Sequence, residues 1–117
     1  MLSDVPGSSA ALLGGWVTYS NTMKSREVAV PPDVLERHGA VSEPVARAMV
    51  EGGLIAGDAD HALAITGVAG PTGGSDDKPV GAVYIARAGR EGVGVNTEIR
   101  RFRFAGSRDD VRERSAV

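Results

Sequence analysis

Two apolar runs constrain this chain more than any other feature. "HALAITGV" (His61 to Val68) and "VGAVYIARA" (Val80 to Ala88) are largely without polar side chains. Each is short enough for a strand and bounded by glycine, so each is predicted to be a central strand buried on both faces. Buried strands of this kind need helices to cover them. A third run, "VNTEIRRFRFAG" (Val95 to Gly106), alternates instead. Ile99, Arg101 and Arg103 fall on one side and Arg100, Phe102 and Phe104 on the other, which predicts a half-exposed or edge strand. Upstream, "ALLGGWVTYS" (Ala11 to Ser20) reads as a buried strand entered through glycines.

Helix signals lie between the strand signals. Asn21 suits an N-cap for a short helix over Met23 to Val28. In "VPPDVLERHG", Pro32 and Asp33 suit a first turn and Gly39 suits a stop, with Val34 and Leu35 as apolar contacts. The clearest helix is in "VSEPVARAMVEGGLIAGD" (Val41 to Asp58). Ser42 caps it, Glu43 and Pro44 open it, and Val45, Ala48, Met49 and Gly52 share one face. Gly52 and Gly53 weaken its far end by roughly 1 kcal/mol each relative to alanine. "SRDDVRERSAV" opens a further helix, with Ser107 as its cap. Helices alternating with strands over 117 residues define one α/β domain.

Composition narrows the function. Net charge is −2, against the basic excess that nucleic acids or anionic membranes require. There is no cysteine, hence no disulfide, thiol nucleophile or cysteine-zinc site. His38 and His61 are too few for a histidine metal centre; Asp58, Asp60 and His61 lack further ligands nearby in sequence. His38 suits a helix C-terminal cation and His61 the surface. Trp16, Phe102 and Phe104 read as core or interface residues. No leader or spanning segment is apparent, so a cytoplasmic location is expected.

Chemistry concentrates in two places. "TGVAGPTGGSDDKPVG" (Thr66 to Gly81) holds five glycines and two prolines in sixteen positions. It is neither a P-loop nor a dinucleotide fingerprint. It reads either as a plain surface connection or as a cradle of backbone N–H groups for an anion or carbonyl oxygen. Lys78 within it is a solvated charge or the cation of such a site. The second place is "GSSA" followed by "YSNTMK". A serine needs a base to become a nucleophile, and a desolvated lysine can serve. Ser8 and Ser9 are therefore turn residues or a nucleophile, and Lys24 a solvated helix residue or its base.

"DVPGSSA", "GGWVTYSNTMK", "ERHGAVSEPVARAM" and "TGVAGPTGGSDDKPVG", in this order, closely resemble the C-terminal domain of the CinA (competence-damage-inducible protein A) family. That domain also occurs alone, as a nicotinamide-nucleotide amidohydrolase. The resemblance covers nearly the whole chain. It implies a three-layer α/β/α sandwich around a mixed sheet. It implies hydrolysis of the carboxamide of nicotinamide mononucleotide to the nicotinate nucleotide and ammonia, by a Ser/Lys mechanism with no metal and no cofactor. Ser9 would be the nucleophile, Lys24 its base, and Tyr19 a hydrogen-bonding residue between them. Thr66 and the backbone N–H groups around Gly67, Gly70 and Gly73 would hold the amide or its oxyanion. Arg108 would contact substrate phosphate. The implied partner is a small-molecule nucleotide, not nucleic acid or membrane, and a homo-oligomer is expected. Relative to the family, the chain lacks a Glu-Ser-Cys-Thr-Gly-Gly segment with its strand and helix, and most of the last helix. The domain spanning residues 1–117 is thus expected to be incomplete. The alternative function is a non-catalytic remnant or a nucleotide-binding module of the same fold.

Overall fold

A computed structural model of the chain describes residue 7, residues 11–68 and residues 81–103. Its elements run α1 (Asn21–Val28), α2 (Pro32–His38), α3 (Glu43–Ala56), β1 (His61–Gly67), β2 (Ala82–Glu91) and β3 (Gly94–Arg103). The strands form one sheet in the order β1-β2-β3, and both pairings are antiparallel. This is a mixed α/β fold, as the alternation of signals predicts. The parallel strand and second helical layer of a full sandwich are not among the described residues.

The helices begin and end where local chemistry dictates, with one shift. α1 is capped by Ser20 rather than Asn21, because the Ser20 hydroxyl accepts from the Met23 N–H at 3.2 Å and so opens the helix one residue earlier. Ala29 closes it in the left-handed conformation (φ 57°), and the Val30 N–H reaches back to the Lys24 carbonyl at 3.1 Å. The Ala29 N–H reaches the same carbonyl, so both amides after the last turn satisfy the Lys24 oxygen and close the helix. α2 starts with Pro32 and ends at Gly39 (φ 76°), as expected. Ser42 caps α3 through the Val45 N–H, also as expected.

α3 is the wedge of the molecule and carries two apolar stripes, not one. Val45, with Ala48 and Met49 half-buried beside it, packs with Val28, Val30 and Leu35 under α1 and α2. Ala46, Val50 and Leu54, spaced four apart, face the sheet and meet Ala64, Ala86 and Ala88. Met49 touches both clusters. The expected stripe through Val45 and Gly52 is the one toward α1; the stripe toward the sheet escaped the periodicity count. Gly52 has a reason to be glycine. A Cβ there would lie 1.8 Å from the Val28 carbonyl oxygen, so α1 and α3 meet backbone to backbone.

Two strand expectations need correction. Residues 11–20 form no strand. Among the described residues no neighbouring strand offers them a ladder, so the segment runs over α3 with the Trp16 ring against Gly53 and Gly57, while Leu13, Val17 and Tyr19 are exposed. β1 is not buried on both faces. Its burial alternates, with Ala64 and Thr66 covered by the helical side and Leu63 left 61% exposed. It lies at one edge of the described sheet, with no helix over its second face among the described residues. β2 is the central, mostly buried strand and β3 the exposed one, as expected. Gly92 (φ 59°) makes the tight turn between them. The helix predicted from Ser107 lies outside the described residues. No helix among the described residues is long and apolar enough to cross a membrane.

Candidate active site

Lys24 lies in the middle of α1. Its N–H donates to the Ser20 carbonyl at 3.1 Å, and its own carbonyl receives the Ala29 and Val30 N–H groups that close α1. The backbone is therefore fixed on both sides. The side chain lies on the inner face of α1 with Val28, and the residue is only 7% exposed. Its Nζ donates to the Thr18 carbonyl at 2.7 Å. Desolvation by burial lowers its pKa below the ordinary lysine value. A lysine so held spends more of its time as a neutral amine, which can accept a proton. Tyr19 follows Thr18 with its side chain 81% exposed.

The strand end of the site is built differently. Thr66 is buried, and its hydroxyl donates to the Ala40 carbonyl at 2.7 Å, tying β1 to the connection between α2 and α3. The hydroxyl proton is thereby committed to Ala40, which leaves the Thr66 oxygen as an acceptor and not as a donor to an oxyanion. Gly67 faces Val83 across the ladder, and a Cβ on it would meet the Ala82 carbonyl oxygen at 2.9 Å. Beyond it, the Val68 N–H donates to the Ala82 carbonyl at 2.9 Å and the Gly81 N–H donates to the Val68 carbonyl. Val68 and Gly81 are thus tied to each other and to Ala82 at the end of the β1–β2 pairing, on either side of the glycine-rich stretch of the sequence. On the helix side of the sheet, Thr66, Tyr84 and Arg101 stand in register, with the Arg101 guanidinium 5.7 Å from the centre of the Tyr84 ring.

The structure brings Lys24, Thr18 and Tyr19 into one corner and fixes Thr66 and Gly67 at the base of the glycine-rich insert. Thr66 is tied to Ala40, not to Lys24. Ser9, Gly70, Gly73, Lys78 and Arg108 lie outside the described residues. The partners that sequence reasoning missed are two main-chain carbonyls, of Thr18 and Ala40. A carbonyl carries no side-chain signal, so neither could be named beforehand. Among the described residues no group of three His, Asp or Glu side chains gathers for a metal.

Fold and corner together define an α/β domain with a buried, desolvated lysine on α1 and a separate hairpin whose two strands flank a glycine-rich stretch of the sequence. The model of the CinA C-terminal domain family matches residues 1–117, and the chain belongs to that family. A CinA-like protein of Geobacter sulfurreducens is 52% identical over 99% of this chain, which spans only 27% of that relative's length. The nicotinamide-nucleotide amidohydrolase PncC of Escherichia coli K12 is 47% identical over 100% of this chain and is covered over 69% of its own length. Among solved structures, the competence/damage inducible protein CihA from Agrobacterium tumefaciens superposes with a TM-score of 0.89 at 39% identity, over 95% of this chain and 66% of that one. A CinA superfamily protein from Klebsiella pneumoniae gives 0.88 at 35% identity, over 97% and 68%.

Proposed function

We propose that this domain hydrolyses the carboxamide of nicotinamide mononucleotide, releasing ammonia and the nicotinate nucleotide. The observation that carries the reading is the Lys24 side chain, buried and held on the Thr18 carbonyl at 2.7 Å. The 47% identity to a protein named for this activity supports the choice of substrate. In the proposed sequence, neutral Lys24 takes the proton of Ser9 as the serine oxygen attacks the carboxamide carbon. The resulting lysinium returns that proton to the departing nitrogen as the carbon–nitrogen bond breaks. Water then cleaves the ester to Ser9, its proton passing through Lys24 in the same way. Backbone N–H groups of the glycine-rich insert hold the oxyanion, Tyr19 orients the serine, and Arg108 binds phosphate. Thr66 serves by anchoring the start of the insert.

Ammonia release from nicotinamide mononucleotide is the test. The rate should rise with pH, because a base acts in its neutral form and that fraction grows as pH approaches and passes the Lys24 pKa. The limb should begin below the ordinary lysine range, since burial lowers that pKa. Lys24→Arg should remove turnover while keeping the fold, because a guanidinium keeps its charge but does not give up its proton. Turnover that survives Lys24→Arg would sink the reading. Nucleotide binding without ammonia release from the unsubstituted chain would favour the binding-module alternative.

A further inference from the structure

We propose that Gly52 is a positioning residue for Lys24: without a Cβ at this point of α3, the last turn of α1 seats backbone against backbone, and that depth buries the lysine side chain. The inference rests on the reading of Lys24 as the base. Lys24 and Val28 are the two buried residues of α1 and, four apart, they share one face. Val28 is where that face lands. A Cβ at Gly52 would stand 1.8 Å from the Val28 carbonyl oxygen and 2.8 Å from its carbonyl carbon, both below the 3.0 Å that real Cβ contacts essentially never breach. These are main-chain atoms, so no side-chain rotation relieves the clash; α1 must lift. The adjacent glycine carries no such demand. A Cβ at Gly53 would meet only the Trp16 ring, at 3.6 Å, an ordinary contact. A helix interior disfavours glycine, and here the close approach of α1 requires it at one position and not at the next.

Lifting α1 changes the Lys24 environment first through solvent. Desolvation is the one cause that lowers its pKa; the charged groups of the elements around it (Arg26 and Glu27 on α1, Asp33, Glu36, Arg37 and His38 on α2, Glu43, Arg47 and Glu51 on α3) contribute none of the shift. Readmitting water must therefore move the amine back toward the ordinary value of about 10.4.

The experiment compares Gly52→Ala with Gly53→Ala by acetic anhydride labelling across pH, read by mass spectrometry. The chain has two lysines, so the Lys24 peptide is followed beside that of Lys78. Both variants are made in an Ala29→Gly background. Glycine at that left-handed position reinforces the end of α1 and offsets part of the cost of either substitution. Gly52→Ala should raise the labelling midpoint of Lys24, and the pH limb of ammonia release should move up with it; Gly53→Ala should move neither. An unmoved Lys24 midpoint in folded Gly52→Ala overturns the proposal. So does loss of the fold in Gly52→Ala alone, which would make Gly52 a requirement of folding and not of positioning. If the midpoint rises but the unsubstituted chain releases no ammonia, the reading of Lys24 as a base fails and the role of Gly52 in its burial stands.

Discussion

The two faces of the sheet are made by the same three strands and are covered to different extents among the described residues. Toward α3 the strands present mainly small residues, Ala62, Ala64, Ala86 and Ala88, which close on Ala46, Val50 and Leu54, with Tyr84 and Ile99 half-buried beside them. On the other face Leu63, Ile65 and Phe102 are large and partly or mostly exposed, and only Val83, in register with Gly67 and Phe102, is fully buried among the large residues described there. β1 therefore alternates in size and not in polarity. Small side chains allow the helix axis to come close; large ones need a partner that fills the space between them. The contrast teaches that the bulk of a residue's side chain in this sheet does not report how buried it is. The nearness of the covering element does.

That contrast can be broken from either side. The largest effect should come from Ala86→Leu, which forces extra carbons into the closed face, where Ala86 is fully buried. Overpacking of this kind costs about 1–3 kcal/mol, read as a lower urea midpoint at unchanged slope. No loss of stability would mean that α3 gives way easily and that the small residues are incidental. A smaller effect is expected from Thr66→Val at the polar end of the same face. It removes the hydroxyl that satisfies the Ala40 carbonyl and should cost about 1–3 kcal/mol in principle, toward the low end, because valine suits a strand and water can reach part of the connection. The smallest belongs to the other face. Leu63→Gln should change stability by no more than about 0.5 kcal/mol, since the side chain is mostly in solvent already. A loss as large as that of Ala86→Leu would show that this face is covered in solution.

What was legible in the sequence follows the range of the interactions. The Ser42 cap, the Pro32 start and the Gly39 stop are decided within four residues, and sequence reading finds them. The central place of β2 and the exposure of β3 follow from their side-chain patterns. The stretch from Ala11 to Ser20 looks equally strand-like, yet a strand also needs a neighbour's backbone, which no local pattern reveals. The same holds for β1, whose apolar residues on both faces suggest two coverings where one is described. At the candidate site the sequence left Lys24 as a solvated helix residue or a base, and its burial depends on packing across α1 and α3 that no local pattern shows. The carbonyl that receives it was not readable, and neither was the link from Thr66 to Ala40, 26 positions apart. The second stripe of α3 was hidden because two stripes on one helix blur a single period.

The strand order has a consequence for how the chain is made. Each strand pairs with the next in sequence, and α3, against which all three pack, comes immediately before β1. Contacts of this kind are local, and local topologies fold quickly. During synthesis, a platform helix leaves the ribosome first, and each new strand finds its partner already in place. Between Val68 and Gly81 the sequence runs twelve residues before the next strand begins. The entropy of closing such a connection grows only with the logarithm of its length, so doubling it would cost about 0.6 kcal/mol. Selection can thus lengthen or rewrite that stretch, and with it whatever the hairpin carries, with little effect on the sheet beneath or on the order in which it assembles.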